Sequence, residues 1–487
     1  MQYNTFTQQP VPRIRVQIIA ILLATIVFLA APRRSRAEDF LDFKVMYYQE
    51  ANDRVQVWTP AFLYQHEFDN GLIIKIDGLY DTMSGATPTG APATTITTKS
   101  ITSAKRTTTT TTTTGGTTAG GGTTTGGGTT TGNDDDDGND DETENDAALL
   151  FRPALRPAKQ FNTITGATAI TTGGTTTSGG TTSGGTTTTT TSTSGGSSAT
   201  TTTNTTVSST GKVPTTSFSE ERYSFNVEAS KKIGDHTPSA QASVSIESDY
   251  LSLGLALRDT VEFNKKNTSV QYGGAFTHDE IKPENNTPKG EKNTFDGLIG
   301  VTQVLTPTTL FSINLSLGYI EGLLNDPYKV VLVNSALVTE NRPDNKTKGI
   351  IFTSLNQFIK PLNGSIDFGL RYYHDTFGID SGTITLTWLQ KFGDSLVISP
   401  MVRYYEQTAA DFYAVYFVDT QKYYSSDYRL SAFRGMSYGL KLDWKMNDRM
   451  SFNISYEHYE QKGKDSATPE SAYIKAGIVV AGIRVWL

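Results

Sequence analysis

The chain contains no cysteine in 487 residues, which excludes disulfide staples, thiolate metal centres, cysteine nucleophiles and lipid-modified cysteine. Its five histidines (His66, His236, His278, His374 and His458) are too few and too scattered for a haem array or a metal cluster. Beyond the first 31 residues it lacks any apolar run near the roughly 20 residues that a membrane-spanning helix needs, so a helical inner-membrane protein is excluded. It also lacks a basic excess. Forty-two Lys and Arg face 49 Asp and Glu, and an acidic chain of net charge −7 is a poor partner for nucleic acid. No GxSxG nucleophile elbow is expected, and no Gly-rich phosphate loop outside the low-complexity insert. His374-Asp375 and Glu457-His458 are adjacent pairs, but neighbours on a strand point to opposite faces and cannot form a dyad. The expectation is a protein that is not an enzyme and holds no cofactor and no metal.

What is present begins with an export signal. Met1 to Arg15 carries Arg13 and Arg15 and no acid, and Val16 to Ala31 is apolar apart from Gln17 and Thr25. Ser35-Arg36-Ala37 sets small residues at the two positions a signal peptidase reads. Residues 1–37 are therefore expected to be a signal peptide cleaved near Ala37. Their removal takes five arginines and no acid, leaving 37 bases against 49 acids, a mature charge of −12.

Between residues 93 and 217 the composition changes to Thr and Gly, in runs such as Thr107–Thr114 and Thr186–Thr191. So little bulk cannot offset the entropy of ordering, which predicts a disordered insert. Inside it the run from Asp134 to Asp146 supplies nine acids, against seven bases elsewhere in the insert. Acid oxygens suit calcium, but the spacing of an EF-hand loop is not met, and the run reads as a solvated, self-repelling spacer. Phe151-Arg152-Pro153-Ala154-Leu155-Arg156-Pro157 is the one island of bulk.

Outside the insert, over 38–92 and 218–487, the period is two. Met436, Tyr438, Leu440, Leu442 and Trp444 alternate with Ser437, Gly439, Lys441, Asp443 and Lys445. Phe311, Ile313, Leu315, Leu317 and Tyr319 alternate with Ser312, Asn314, Ser316 and Gly318. Segments of about ten residues, apolar on one face and polar on the other, match transmembrane barrel strands. A mean hydropathy of −0.34 is compatible, because alternate residues face a wet interior. Twenty-three Tyr and 23 Phe suit aromatic girdles. About sixteen strands (14–18) are predicted, near 41–50, 54–66, 72–82, 219–233, 238–247, 250–263, 267–279, 295–305, 308–321, 348–359, 364–375, 380–391, 395–408, 430–446, 449–461 and 473–487. Short turns such as Asp69-Asn70-Gly71 and Asn447-Asp448 follow the even strands, and every long connection follows an odd one. A soluble sandwich gives no reason for that asymmetry. The fold class is all-β, a transmembrane antiparallel β-barrel of the bacterial outer membrane. Both termini are expected on the periplasmic rim and the insert outside the cell.

Alternation turns Arg222, Glu228, Arg258, Asp367, Arg371, Arg403, Lys441 and Asp443 inward as candidate lumen-lining residues. At the far end Gly482, Val485, Trp486 and Leu487 are similar to the C-terminal signal read by barrel-assembly machinery. The signal usually ends on Phe rather than Leu, and Val480 stands where a polar residue is usual.

Several stretches resemble one family. They are Lys44-Val45-Met46-Tyr47-Tyr48-Gln49-Glu50, Asp77-Gly78-Leu79-Tyr80-Asp81, and Ser84 to Pro92. Gly318-Tyr319-Ile320-Glu321 with Asn325-Asp326-Pro327-Tyr328-Lys329 fits, as do Arg371-Tyr372-Tyr373-His374-Asp375 and Arg403-Tyr404-Tyr405-Glu406-Gln407 with Ala410-Asp411-Phe412-Tyr413. The sequence is similar to a bacterial outer-membrane β-barrel family known as domain of unknown function 3570 (DUF3570), over nearly all of the mature chain except the insert. The resemblance implies an outer-membrane barrel of Gram-negative-type bacteria with no assigned substrate. It also implies association with small lipoproteins and envelope redox proteins. The expected partners are outer-membrane lipids, the barrel-assembly machinery and a periplasmic or lipoprotein partner. A channel or transport pore for small solutes or ions leads the expected functions. A non-conducting scaffold for an envelope partner is the alternative, and an outer-membrane hydrolase stands behind both.

Overall fold

The structure, a computed structural model, describes residues 39–91, 94–102, 107–114, 187–192, 200–209, 213–283, 288–334 and 336–487. The expected signal peptide, the acidic run and the Phe151–Pro157 island lie outside the described residues. In chain order the strands begin with β1 (Phe40–Glu50), β2 (Val55–Glu67) and β3 (Leu72–Pro88). Within the insert come β4 (Thr94–Thr102), β5 (Thr107–Thr114), β6 (Thr187–Ser192) and β7 (Thr200–Ser209). Then follow β8 (Thr215–Lys231), β9 (His236–Ile246), β10 (Tyr250–Phe263), β11 (Thr268–Ile281), β12 (Gly290–Thr306) and β13 (Thr309–Gly322). A small hairpin, β14 (Val330–Val333) and β15 (Ala336–Thr339), precedes β16 (Asn345–Ile359), β17 (Gly364–Asp375), β18 (Asp380–Phe392) and β19 (Leu396–Gln407). The chain finishes with β20 (Phe433–Asn447), β21 (Met450–Gly463) and β22 (Lys475–Trp486).

Sixteen strands pair antiparallel, each with the next, and β22 returns to β1 to close a barrel, with Asp42 opposite Arg484 and Tyr48 opposite Ile478. Closure leaves no edge strand with unpaired backbone groups, the condition for crossing a bilayer by strands. The sixteen predicted segments are the sixteen observed, with ends moved by a few residues. The largest change lies between β3 and β8, where Met83–Pro88 pair with Thr215–Glu220 and lengthen the hairpin past its predicted end at 82. Gly85 permits the extension. Its φ is +154°, and a Cβ there would lie 1.9 Å from the Arg54 carbonyl oxygen. Residues 215–217 thus belong to a barrel strand, since β-branched threonine favours an extended ladder despite its low complexity. Within the insert, β4 to β7 form a separate four-stranded sheet in the order β5-β4-β7-β6.

Opposite residues in a ladder share a face, so the register fixes what points where. Leu253, Leu255 and Leu257 on β10 and Ile313, Leu315 and Leu317 on β13 point outward and are between 40% and 58% exposed. So much open leucine and isoleucine on one face is the lipid surface of a membrane barrel. Outward aromatics flank that band. Trp58, Tyr223, Tyr319, Tyr372 and Tyr438 lie towards one rim, and Phe263, Tyr272, Phe392 and Trp444 towards the other. The two rims differ sharply. On the rim that carries β1's start and β22's end, the seven connections run from two to four residues, from 307–308 to 68–71 and 232–235. The opposite rim carries the insert and the segments 282–289, 323–344, 408–432 and 464–474. It is called the loop rim below.

Candidate functional site: the lumen and its cap

The inner wall is polar because alternate residues of each strand face it, and its charges meet across strands. Arg222 bridges Asp81 at 2.7 Å, and Arg258 and Lys75 converge on Glu228 at 3.2 and 3.0 Å. Lys441 reaches Asp443 at 2.9 Å, Arg403 reaches Glu457 at 3.6 Å, and Asp367 accepts a hydrogen bond from Asn356 at 3.0 Å. Across the seam between β22 and β1, Arg484 bridges Asp42 at 2.6 Å and lies over the Phe40 ring. Arg371 also faces inward, with its guanidinium 5.6 Å from the centre of the Tyr373 ring. All eight residues singled out from the alternation therefore lie on the inner wall. At the chain's end Gly482 faces inward, where a Cβ would come 2.8 Å from the Lys44 side chain, while Val485 faces lipid. Trp486 stands opposite Phe40, and the Leu487 amide donates to Asp39.

Reading one strand at a time does not pick out the partners Asp81, Glu457 and Asp42, because pairing needs the register between strands. Two further motif readings are settled by facing. His374 points outward to Asp380 at 3.0 Å while Asp375 points inward to Lys346 at 3.5 Å. Against the expectation that no GxSxG element is present, Gly435-Met436-Ser437-Tyr438-Gly439 has the spacing of a nucleophile elbow. It lies within β20, and Ser437 faces inward between Arg403 and Tyr459, with no histidine as a ladder partner.

The loops of the loop rim are folded against this wall rather than held away from it. Gln407, on the inner face of β19, donates to the carbonyl oxygens of Ser431 and Arg429, and Arg54 donates to those of Ser471 and Ala472. Segment 323–344 is tied to 408–432 by backbone bonds from Phe417 to Leu332 and from Tyr424 to Asn341, both 2.8 Å. Segment 464–474 joins through Thr468 with the Tyr413 hydroxyl and Tyr473 with Ser431. The Val330 amide and the Lys329 ammonium donate to Thr89 and Pro88, which ties the same cap to the tip of β3. Phe377, Ile379, Ala410, Phe412 and Leu430 form one apolar cluster here, and Val331, Val333 and Phe417 another.

At the centre of the cap lie three acids and three bases that cancel in charge. Arg429 bridges Asp326 at 2.6 Å and Asp427 at 2.5 Å. Arg342 bridges Asp427 at 2.8 Å and Glu340 at 2.6 Å, and Lys329 stands 3.9 Å from Asp326. Burial works against charge on Asp427, but Arg429 and Arg342 outweigh it and hold its carboxyl well below the usual range. Asp326 is also lowered, burial being outweighed by Lys329 and Arg429. Glu340 moves the other way, because burial exceeds the pull of Arg342. At the loop-rim end of the wall Asp375, Gln407 and Ser437 are about 1% exposed, and Asp42 and Val397 near the other rim are buried as well.

The family model for a protein of unknown function (DUF3570) matches residues 20–123, 159–291 and 284–476. The chain belongs to the DUF3570 family. No curated protein matches its sequence. Among solved structures, this DUF3570 protein overlays on the siderophore receptor PirA of Pseudomonas aeruginosa at 8% identity, with a TM-score of 0.37 over 93% of its own length and 62% of the receptor's. The PirA receptor of Acinetobacter baumannii gives 8% identity and 0.37 over 88% and 54%. The outer membrane protein OpdK of Pseudomonas aeruginosa gives 7% identity and 0.35 over 92% and 98%. The chain thus spans about six tenths or less of the receptors it matches.

Proposed function

We propose that this DUF3570 protein is an outer-membrane channel or transport barrel for small charged solutes, closed at its loop rim by its own cap. The observation that carries the reading is the inner wall. Sixteen strands enclose an interior lined by Arg, Lys, Asp, Glu, Ser and Thr, a polar lining of the kind that carries water and small solutes through wide barrels. On this reading the chain is exported by its N-terminal signal and inserted by the assembly machinery through β22. The loop rim and insert face the outside, and passage requires the cap to move. The reading is of a protein without catalysis of its own.

The test is conductance of the refolded protein in a planar bilayer. The wild type is expected to show small, infrequent openings. Arg429→Ala, which removes a base from the cap's ion cluster, is expected to give larger and longer ones. Silence from both proteins, with insertion verified, overturns the channel reading. The second reading, a non-conducting scaffold for an envelope partner such as a lipoprotein or redox protein, then stands. The closed packing of the cap is the observation that favours it.

A further inference from the structure

The two Arg-Tyr-Tyr stretches look alike in sequence, and the structure separates them. Arg403 is held by Glu457, and both are buried. Arg371 occupies the corresponding inward place on β17, yet no ion pair joins it to a carboxylate among the described residues. Its Nη2 is screened from solvent and bonded to nothing among the described residues. The other inward cations of the wall do have such partners: Lys75, Arg222, Arg258, Lys292, Lys346, Lys348, Lys441 and Arg484 each face an acid at 3.5 Å or less. The Tyr373 face satisfies the charge in part but accepts none of the guanidinium's hydrogen bonds in the way a carboxylate would. In the ladder Arg371 stands between Thr383 of β18 and Phe352 of β16, and the Phe352 ring also covers Gly369, two residues before it, so none of these inward neighbours offers the guanidinium a charge. Lys348, four residues along β16 from Phe352, the ladder partner of Arg371, adds positive potential and is itself held by Asp296.

We infer that Arg371 is an oxyanion-binding residue of the lumen, taking the carboxylate or phosphate group of a solute, while Arg403 is a brace. The inference rests on the reading of the lumen as a solute compartment. A half-screened guanidinium with an unfilled N–H gains most from a ligand with two adjacent oxygens, because the fork-to-fork contact is charge-assisted and bidentate.

The experiment is a calorimetric titration of the full-length refolded barrel with inorganic phosphate and, separately, acetate at low ionic strength, alongside its conductance. Wild type and Arg403→Lys are expected to bind at least one of the two anions saturably. Arg371→Ala is expected to weaken binding by about tenfold or more, the worth of one charge-assisted contact, with no fall in thermal stability. Arg371→Lys should recover part of the affinity, as a point charge without the fork. Preference for phosphate or for acetate names the group. Equal binding by Arg371→Ala and wild type, or no binding by wild type, overturns the site even if the barrel conducts. Binding that depends on Arg371 in a barrel that never conducts keeps the site and discards the pore.

Discussion

A buried ion and its partner stand or fall together, and the inner wall holds several such pairs. Removing one member of a buried pair leaves an uncompensated charge, at a cost of about 3–5 kcal/mol, while removing both for apolar side chains of similar size is often neutral. Glu457 and Arg403 are both under a tenth exposed, so Glu457→Ala should lower the barrel's resistance to denaturant by an amount of that order. Glu457→Leu with Arg403→Met should restore most of the loss. Denaturant unfolding followed by the shift in electrophoretic mobility reads both, and a Glu457→Ala protein as stable as wild type would show that the bridge is idle. At this scale the sequence yields faces but not partners. A period of two puts Arg403 and Glu457 each on an inward side. Only the register of β19, β20 and β21 shows that they meet.

The element least visible in the sequence is the cap. The hairpins of the other rim announce themselves through Asn-Gly and Gly-Asp turns, and Gly71 at φ +74° takes the left-handed conformation that such a turn needs. Segments 323–344 and 408–432 have no period, because their order comes from each other. The traces they leave are two short spacings, Glu340-Asn341-Arg342 and Asp427-Tyr428-Arg429, whose ions cross-pair between loops. Acid should therefore loosen the cap. Asp427 and Asp326 are lowered in the folded state, so each stabilises the cap fully above the ordinary carboxylate value of about 4 and loses that contribution as pH falls towards its folded value. Glu340 is raised and acts in the opposite sense, since its ionisation costs stability as pH climbs through its folded value. Two lowered carboxyls against one raised predict a cap that is tight at pH 6 and loosened at pH 3. Amide protection factors over 323–344 and 408–432, in which the pH dependence of intrinsic exchange is divided out, should fall several-fold from pH 6 to pH 3. Asp427→Asn should show low protection already at pH 6 and a smaller pH response. Protection that is insensitive to both pH and this substitution would show that the apolar clusters alone hold the cap.

For the molecule as a whole, strand count, closure and the asymmetry of the rims were legible because each is a property of the pattern along the chain. Sixteen alternating segments with short turns after the even ones leave few other ways to satisfy backbone and side chains at once. What the pattern could not convey is how far barrel strands run into sequence of low complexity. Thr215 to Ser217 read as insert, yet they pair with Ala86 to Pro88, and the Thr89 amide continues the ladder to the Pro214 carbonyl at 3.0 Å. The hairpin of β3 and β8 is therefore closed by its own pairing before residues 92–212 begin. Those residues add loop-closure entropy to the hairpin but none of the sixteen barrel strands, and closure cost grows only slowly with loop length. Replacing 92–212 by a two-residue Asn-Gly turn should thus leave the same heat-resistant barrel, with equal or slightly greater stability and the same β content by circular dichroism. A second deletion, from 84 to 219, cuts into the paired residues and removes the link from Thr89 and Pro88 to the cap. It should lower stability and open the cap to protease. If the shorter deletion fails to insert into outer-membrane vesicles while the folded wild type does, the insert takes part in assembly and the barrel is not self-sufficient.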